Sequence, residues 1–175
     1  HVPLQSGCDA TLKRMNRKYT TEQYLEKINK IRSYLPNIAF TTDVIVGFPG
    51  ETDEEFQATY DFIKKVNYSQ LHVFPYSPRK NTPAAKMKDQ VNDQVKHQRV
   101  ERLLELSKQL NYDFAMKQID KTLKVLFEKR LGDYLIGHAS DYLQVKVKTN
   151  ENLIGEIVNI KIEKYSDMLE GSIAS

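Results

Sequence analysis

Apolar positions recur in two different rhythms along the chain, and the change between them divides it. From Thr20 onward Tyr24, Leu25, Ile28, Ile31 and Leu35 fall at helical spacing. Thr20 and Gln23 form a capping box at the start, and Pro36 stops the helix. A strand over 38–46 follows, holding the continuous apolar run Val44-Ile45-Val46 of a parallel strand buried on both faces. Gly47 to Gly50 breaks it. A second capping box, Thr52 with Glu55, opens a helix whose buried stripe is Phe56, Tyr60, Ile63 and Val66. A strand over 71–76 ends in Ser77-Pro78-Arg79, and a long helix runs from about Asn92 to Ile119. Val2 to Leu4 closes one further buried strand at the beginning. After Lys121 the period drops to two. Leu123–Phe127, Tyr134–Gly137, Tyr142–Val147 and Ile157–Ile162 alternate as half-buried strands, punctuated by Gly132, Gly137, Gly155 and Gly171.

The expectation is α/β: a partial parallel barrel of about three βα units over 1–117, then a small antiparallel β-barrel over 118–175. A complete barrel of eight units takes about 250 residues. Three units leave parallel edges unpaired, so the reading expects chain preceding His1, or self-association through the exposed edges. The opening residues His1-Val2-Pro3-Leu4-Gln5 lack an initiator Met and the charged and apolar regions of a signal peptide, which fits a truncated start.

Composition narrows the chemistry. No apolar run approaches the about 18 residues of a membrane span. The single cysteine, Cys8, cannot form an internal disulfide, and a reducing cytoplasm is expected. Nor can it carry a zinc or iron–sulfur site alone. Residues 1–117 carry a balance of +4 and residues 118–175 a balance of −1, so neither part has the charge of a protein that holds nucleic acid by electrostatics alone.

In an α/β barrel, chemistry sits at the C-terminal strand ends. Three turns lie there: Gln5-Ser6-Gly7, Gly47-Phe48-Pro49-Gly50-Glu51-Thr52, and Pro75-Tyr76-Ser77-Pro78-Arg79. Gly47 and Gly50 suit close approach of a ligand and equally a tight strand-to-helix turn. Gln5 and Ser6 suit either a polar ligand or turn capping. Asp43, late in an apolar strand, is functional or tied to a neighbour. Lys13, Arg14, Arg17 and Lys18 place four cations in six positions, a phosphate-binding loop or a solvated run. Arg79 can grip a carboxylate or phosphate bidentately. His1, His72, His97 and His138 are scattered, and no metal-ligand spacing appears.

Taken together, His1-Val2-Pro3-Leu4-Gln5-Ser6-Gly7-Cys8-Asp9, Leu12–Tyr19, Thr42–Thr52, Leu71–Arg79 and Thr82-Pro83-Ala84-Ala85 resemble the radical S-adenosylmethionine methylthiotransferases, in that family's order and over nearly the whole chain. The last 55 or so residues resemble its RNA-binding TRAM domain. The segment Leu71–Ser77 resembles the members that add a methylthio group to C2 of N6-threonylcarbamoyladenosine at position 37 of tRNA. The isopentenyladenosine-tRNA and ribosomal-protein aspartate enzymes, or a non-catalytic RNA-binding module, are the alternatives.

The resemblance implies S-adenosylmethionine and two [4Fe-4S] clusters, tRNA as partner, and an N-terminal part of the same polypeptide that carries the cluster cysteines. No catalytic residue is expected within this chain, which is expected to be inactive alone. The resemblance places Gln5, Ser6, Asp43, Gly47, Pro49 and Gly50 on the S-adenosylmethionine side, and offers Arg14, Arg17 and Arg79 for anionic groups. On the β-domain Tyr134, Tyr142 and Tyr165 are available for stacking on RNA.

Overall fold

A computed structural model describes residues 1–174. They form two compact units, His1–Asn111 and Tyr112 onward.

The first unit is built on two parallel strands, β1 (Thr41–Val46) and β2 (Gln70–Pro75), paired in register from Thr41↔Gln70 to Val46↔Pro75. Residues 2–5 run beside β1 through Val2 N–H to Thr41 O (2.9 Å), Gln5 N–H to Asp43 O (2.8 Å) and Ile45 N–H to Gln5 O (2.9 Å). This segment is an isolated bridge at Gln5↔Val44, and the strand expected over Val2–Leu4 is not a regular one. The local reason is visible: Pro3 has no N–H, and the N–H of Leu4 donates to the Thr42 hydroxyl (2.8 Å) instead of to a carbonyl. The strand expected from Ile38 begins only at Thr41. Ile38 is exposed and its N–H turns back to Leu35 O.

Helices α1 (Asp9–Arg14), α2 (Thr21–Tyr34), α3 (Asp53–Val66) and α4 (Asp93–Met116) complete the order, with a short 3-10 turn at Ala84–Lys86 before α4. Both capping boxes are present, Thr20 with Gln23 on α2 and Thr52 with Glu55 on α3. Asn67, in the left-handed region at φ 57°, ends α3. The basic stretch expected as a loop begins inside α1, whose last two residues are Lys13 and Arg14. Six residues are too few to show helical periodicity, so it escapes the pattern.

The helices cover one face of the sheet. Thr42, Val44 and Val46 of β1 point into a core with Leu4, Ile28, Phe56, Ile63, Val66 and Leu103. Thr41, Asp43 and Ile45 alternate to the other, partly open face, where His72 and Phe74 of β2 are exposed.

The second unit is a closed barrel of β3 (Thr122–Leu131), β4 (Tyr134–Ala139), β5 (Gln144–Lys148), β6 (Ile157–Tyr165) and β7 (Leu169–Ile173), in the order β3-β4-β5-β7-β6. Val125, Phe127, Leu135, Val145, Val147, Ile160, Ile162 and Leu169 fill it. Alternation predicts four runs but not β7, whose five residues include Glu170, Gly171 and Ser172. Pairing is antiparallel except between β5 and β7, which run parallel. Parity requires this. Five strands in a closed ring cannot alternate direction at every seam, so one neighbouring pair must run the same way. A Cβ on Gly137 would lie 2.1 Å from Leu126 O, so only glycine lets β3 and β4 close here.

Candidate functional site

Because residues 2–5, β1 and β2 run parallel, their C-terminal ends meet on one rim. Between them lies a cavity of about 540 Å³ lined by Gln5, Asp43, Ile45, Phe74, Tyr76, Ser77 and Arg79 together with Thr82 and Ala84. Its wall mixes apolar and hydrogen-bonding groups, the make-up of a small-molecule site. Gln5 sits in the left-handed region at φ 69° and accepts a hydrogen bond from Arg17 Nη2 (3.0 Å) through its Oε1. Asp43 projects from the open face of β1. It pairs with His1 Nε2 at 3.4 Å and stands across the ladder from His72, whose ring is 5.6 Å from that of His1. The Arg79 side chain is exposed and makes no ion pair among the described residues.

The Gly47–Gly50 turn lies behind this wall, and its conformation is set from within the protein. Gly47, at φ 70°, donates its N–H to Glu51 Oε2 (2.6 Å). A Cβ there would fall 2.4 Å from Lys96 Cγ of α4. Pro49 is buried, and Gly50, at φ 77°, donates to Asp89 O (2.7 Å). The Glu51 side chain is fully buried. Arg99 of α4 grips it through Nη1 (2.7 Å) and reaches Asp53 through Nη2 (2.7 Å). Burial raises the Glu51 carboxyl above its ordinary value, against the opposing pull of the Gly47 N–H and Arg99.

The sequence candidates therefore separate by place. Gln5, Asp43 and Arg79 line the cavity, and Arg17 reaches it through Gln5. Ser6 is buried, with its hydroxyl 3.2 Å from Thr59 Oγ1 and accepting from Cys8 N–H. Gly47, Pro49 and Gly50 support the rim from behind. Arg14 forks onto Glu55, with Nη1 to Oε1 at 3.0 Å and Nη2 on Oε2, and this pairing holds the Glu55 carboxyl below its usual range. Tyr76, read from sequence only as part of a rim turn, lines the cavity, and the Lys96 and Arg99 that support the rim from α4 are residues sequence reasoning missed. Lys96 and Arg99 are three apart on one helix face, a spacing that reads equally as a solvated stripe.

On the barrel the three tyrosines also separate. Tyr134 lies under Lys146 Nζ (5.4 Å), and Tyr165 packs edge-on against Tyr112 at 5.1 Å. Tyr142 is 78% exposed and borders a shallow basin of about 610 Å³ with Lys124, Leu126, His138 and Ile157.

Residues 1–63 match the model of the radical SAM superfamily. The chain is 47% identical over 169 residues, 94% of its length, to the threonylcarbamoyladenosine tRNA methylthiotransferase MtaB of Bacillus subtilis. The chain belongs to the radical SAM methylthiotransferase family. It is also 46% identical over 93% of its length to a tRNA-2-methylthio-N(6)-dimethylallyladenosine synthase of Thermoanaerobacter, and 44% identical over 99% to that of Aquifex aeolicus. It spans 38%, 35% and 40% of the lengths of these three methylthiotransferases. The motif resemblance and the α/β-plus-small-barrel architecture expected from sequence are thereby borne out.

An iron–sulfur cluster takes several thiolates. This chain has Cys8 alone, and the described residues hold no group of three or more His, Cys, Asp or Glu placed for a metal ion. Its own residues do not make a cluster site. The rim cavity, by contrast, has the size and the hydrogen-bonding groups for a nucleoside-bearing cofactor.

Proposed function

We propose that this chain forms the later part, 1–117, of a radical SAM barrel and a TRAM domain, 118–175, in an enzyme that adds a methylthio group to C2 of N6-threonylcarbamoyladenosine at position 37 of tRNA. The observation that carries the reading is the rim cavity, set at strand ends whose motifs are those of the family. Gln5 and Asp43 face S-adenosylmethionine there. Ser6, Gly47, Pro49 and Gly50 shape the rim behind it. Arg17 and Arg79 are the cations left for anionic groups of cofactor or tRNA, since Arg14 is held by Glu55. The [4Fe-4S] clusters belong to chain outside these residues, and the longer methylthiotransferases that the chain matches support that. The tRNA-modifying relatives support a cytoplasmic place of work.

The substrate reading rests on the B. subtilis relative's name and on the segment Leu71–Ser77. Identities to dimethylallyladenosine synthases are nearly as high and favour that adenosine as the second reading. Mass spectrometry of nucleosides from tRNA modified by the full-length enzyme separates them. Methylthio-threonylcarbamoyladenosine is expected; methylthio-dimethylallyladenosine in its place overturns the assignment. The chain alone, supplied with iron and sulfide, is expected to assemble no stoichiometric cluster and to cleave no S-adenosylmethionine. Absorbance and product analysis check both.

A further inference from the structure

Lys96 of α4 approaches the cavity wall from behind, through Tyr76. It is 6% exposed, and its ammonium donates to Asp93 Oδ1 at 3.0 Å. Its stem lies against Gly47, where a Cβ would meet Lys96 Cγ at 2.4 Å. Its Nζ then stands 5.8 Å from the centroid of the Tyr76 ring, within the range of a cation–π contact. Tyr76 lines the cavity, and its ring meets Phe48 edge-on at 5.2 Å. Its main chain is fixed by N–H donation to Val46 O, but among the described residues its buried hydroxyl has no hydrogen-bond partner. Among the described residues no hydrogen bond orients the ring. The polar contact that does act on it is the Lys96 ammonium, and Arg99 one turn on secures the same rim through Glu51.

We propose that Lys96 is a positioning residue: it presses the Gly47 turn with its stem and fixes the Tyr76 ring as a wall of the cavity with its charge. The consequence for ligand affinity rests on the cofactor reading above; the ring's placement does not.

The test labels the chain with 3-fluorotyrosine and assigns Tyr76 as the fluorine resonance lost in Y76F. K96M keeps an unbranched stem and removes the charge; K96R keeps the charge. K96M is expected to shift the Tyr76 resonance, K96R to leave it near its wild-type place, and K64M, whose lysine lies 6.0 Å from Tyr60, to leave it unmoved. A wild-type Tyr76 resonance in K96M overturns the proposal.

In the full-length enzyme, K96M is expected to weaken S-adenosylmethionine binding about threefold to tenfold at equilibrium, with K96R restoring it. Wild-type affinity in K96M, with the resonance moved, overturns the positioning role and leaves Lys96 as structural. If the wild-type enzyme binds no S-adenosylmethionine, the cofactor reading falls instead, and the resonance alone decides Lys96.

Discussion

At the scale of single residues, the rim turn is held by several contacts at once. Gly47 combines a left-handed φ with no room for a Cβ, so G47A faces two penalties at once. It is expected to lose about 2 kcal/mol or more of stability by urea unfolding, since left-handed backbone costs a non-glycine residue about 1–2 kcal/mol before any clash. R99M leaves the Glu51 carboxylate buried without its partner and is expected to cost about 3–5 kcal/mol. Adding E51Q to R99M should recover most of that loss, because the uncompensated charge is removed. An additive double mutant would show that the pair is not coupled. The sequence displays Gly47 and Glu51 plainly, yet both read equally well as ligand-binding or as structural. The deciding partners, Lys96 and Arg99, lie more than forty positions away on a helix whose polar face gives no hint of what it meets.

At the scale of elements, legibility follows the strength of local signals. Both capping boxes can be read directly, because side chain and backbone satisfy each other within four residues. T52A is expected to cost about 1 kcal/mol by thermal unfolding through loss of the α3 cap. Short elements escape: α1 has six residues, and β7 carries too few apolar positions to show alternation. The parallel seam between β5 and β7 is invisible for another reason. It is a property of ring closure, not of any one strand. G137A places a Cβ 2.1 Å from Leu126 O and should open the β3–β4 ladder, read as loss of amide exchange protection in both strands.

At the scale of the whole molecule, the family and the two-part architecture are legible because motifs in a fixed order carry more information than any one of them. The tie between Arg14 and Glu55 gives the chain an acid-sensitive link. Arg14 holds the folded-state carboxyl low, so its stabilisation is present above the ordinary glutamate value of about 4.3 and is lost as pH falls through the depressed one. Urea midpoints at pH 7 and pH 3 should therefore differ less in E55Q than in the wild-type chain. The barrel adds a consequence in time. Its two non-local seams are β3–β6 and β5–β7, because β6 and β7 form a hairpin of their own from Tyr165↔Leu169. Hairpins β3–β4, β4–β5 and β6–β7 can zip locally, but the ring cannot shut until the β6–β7 hairpin docks against both β3 and β5. Barrel closure is thus expected to be a late, non-local event, set by the strand order and not by any one strand.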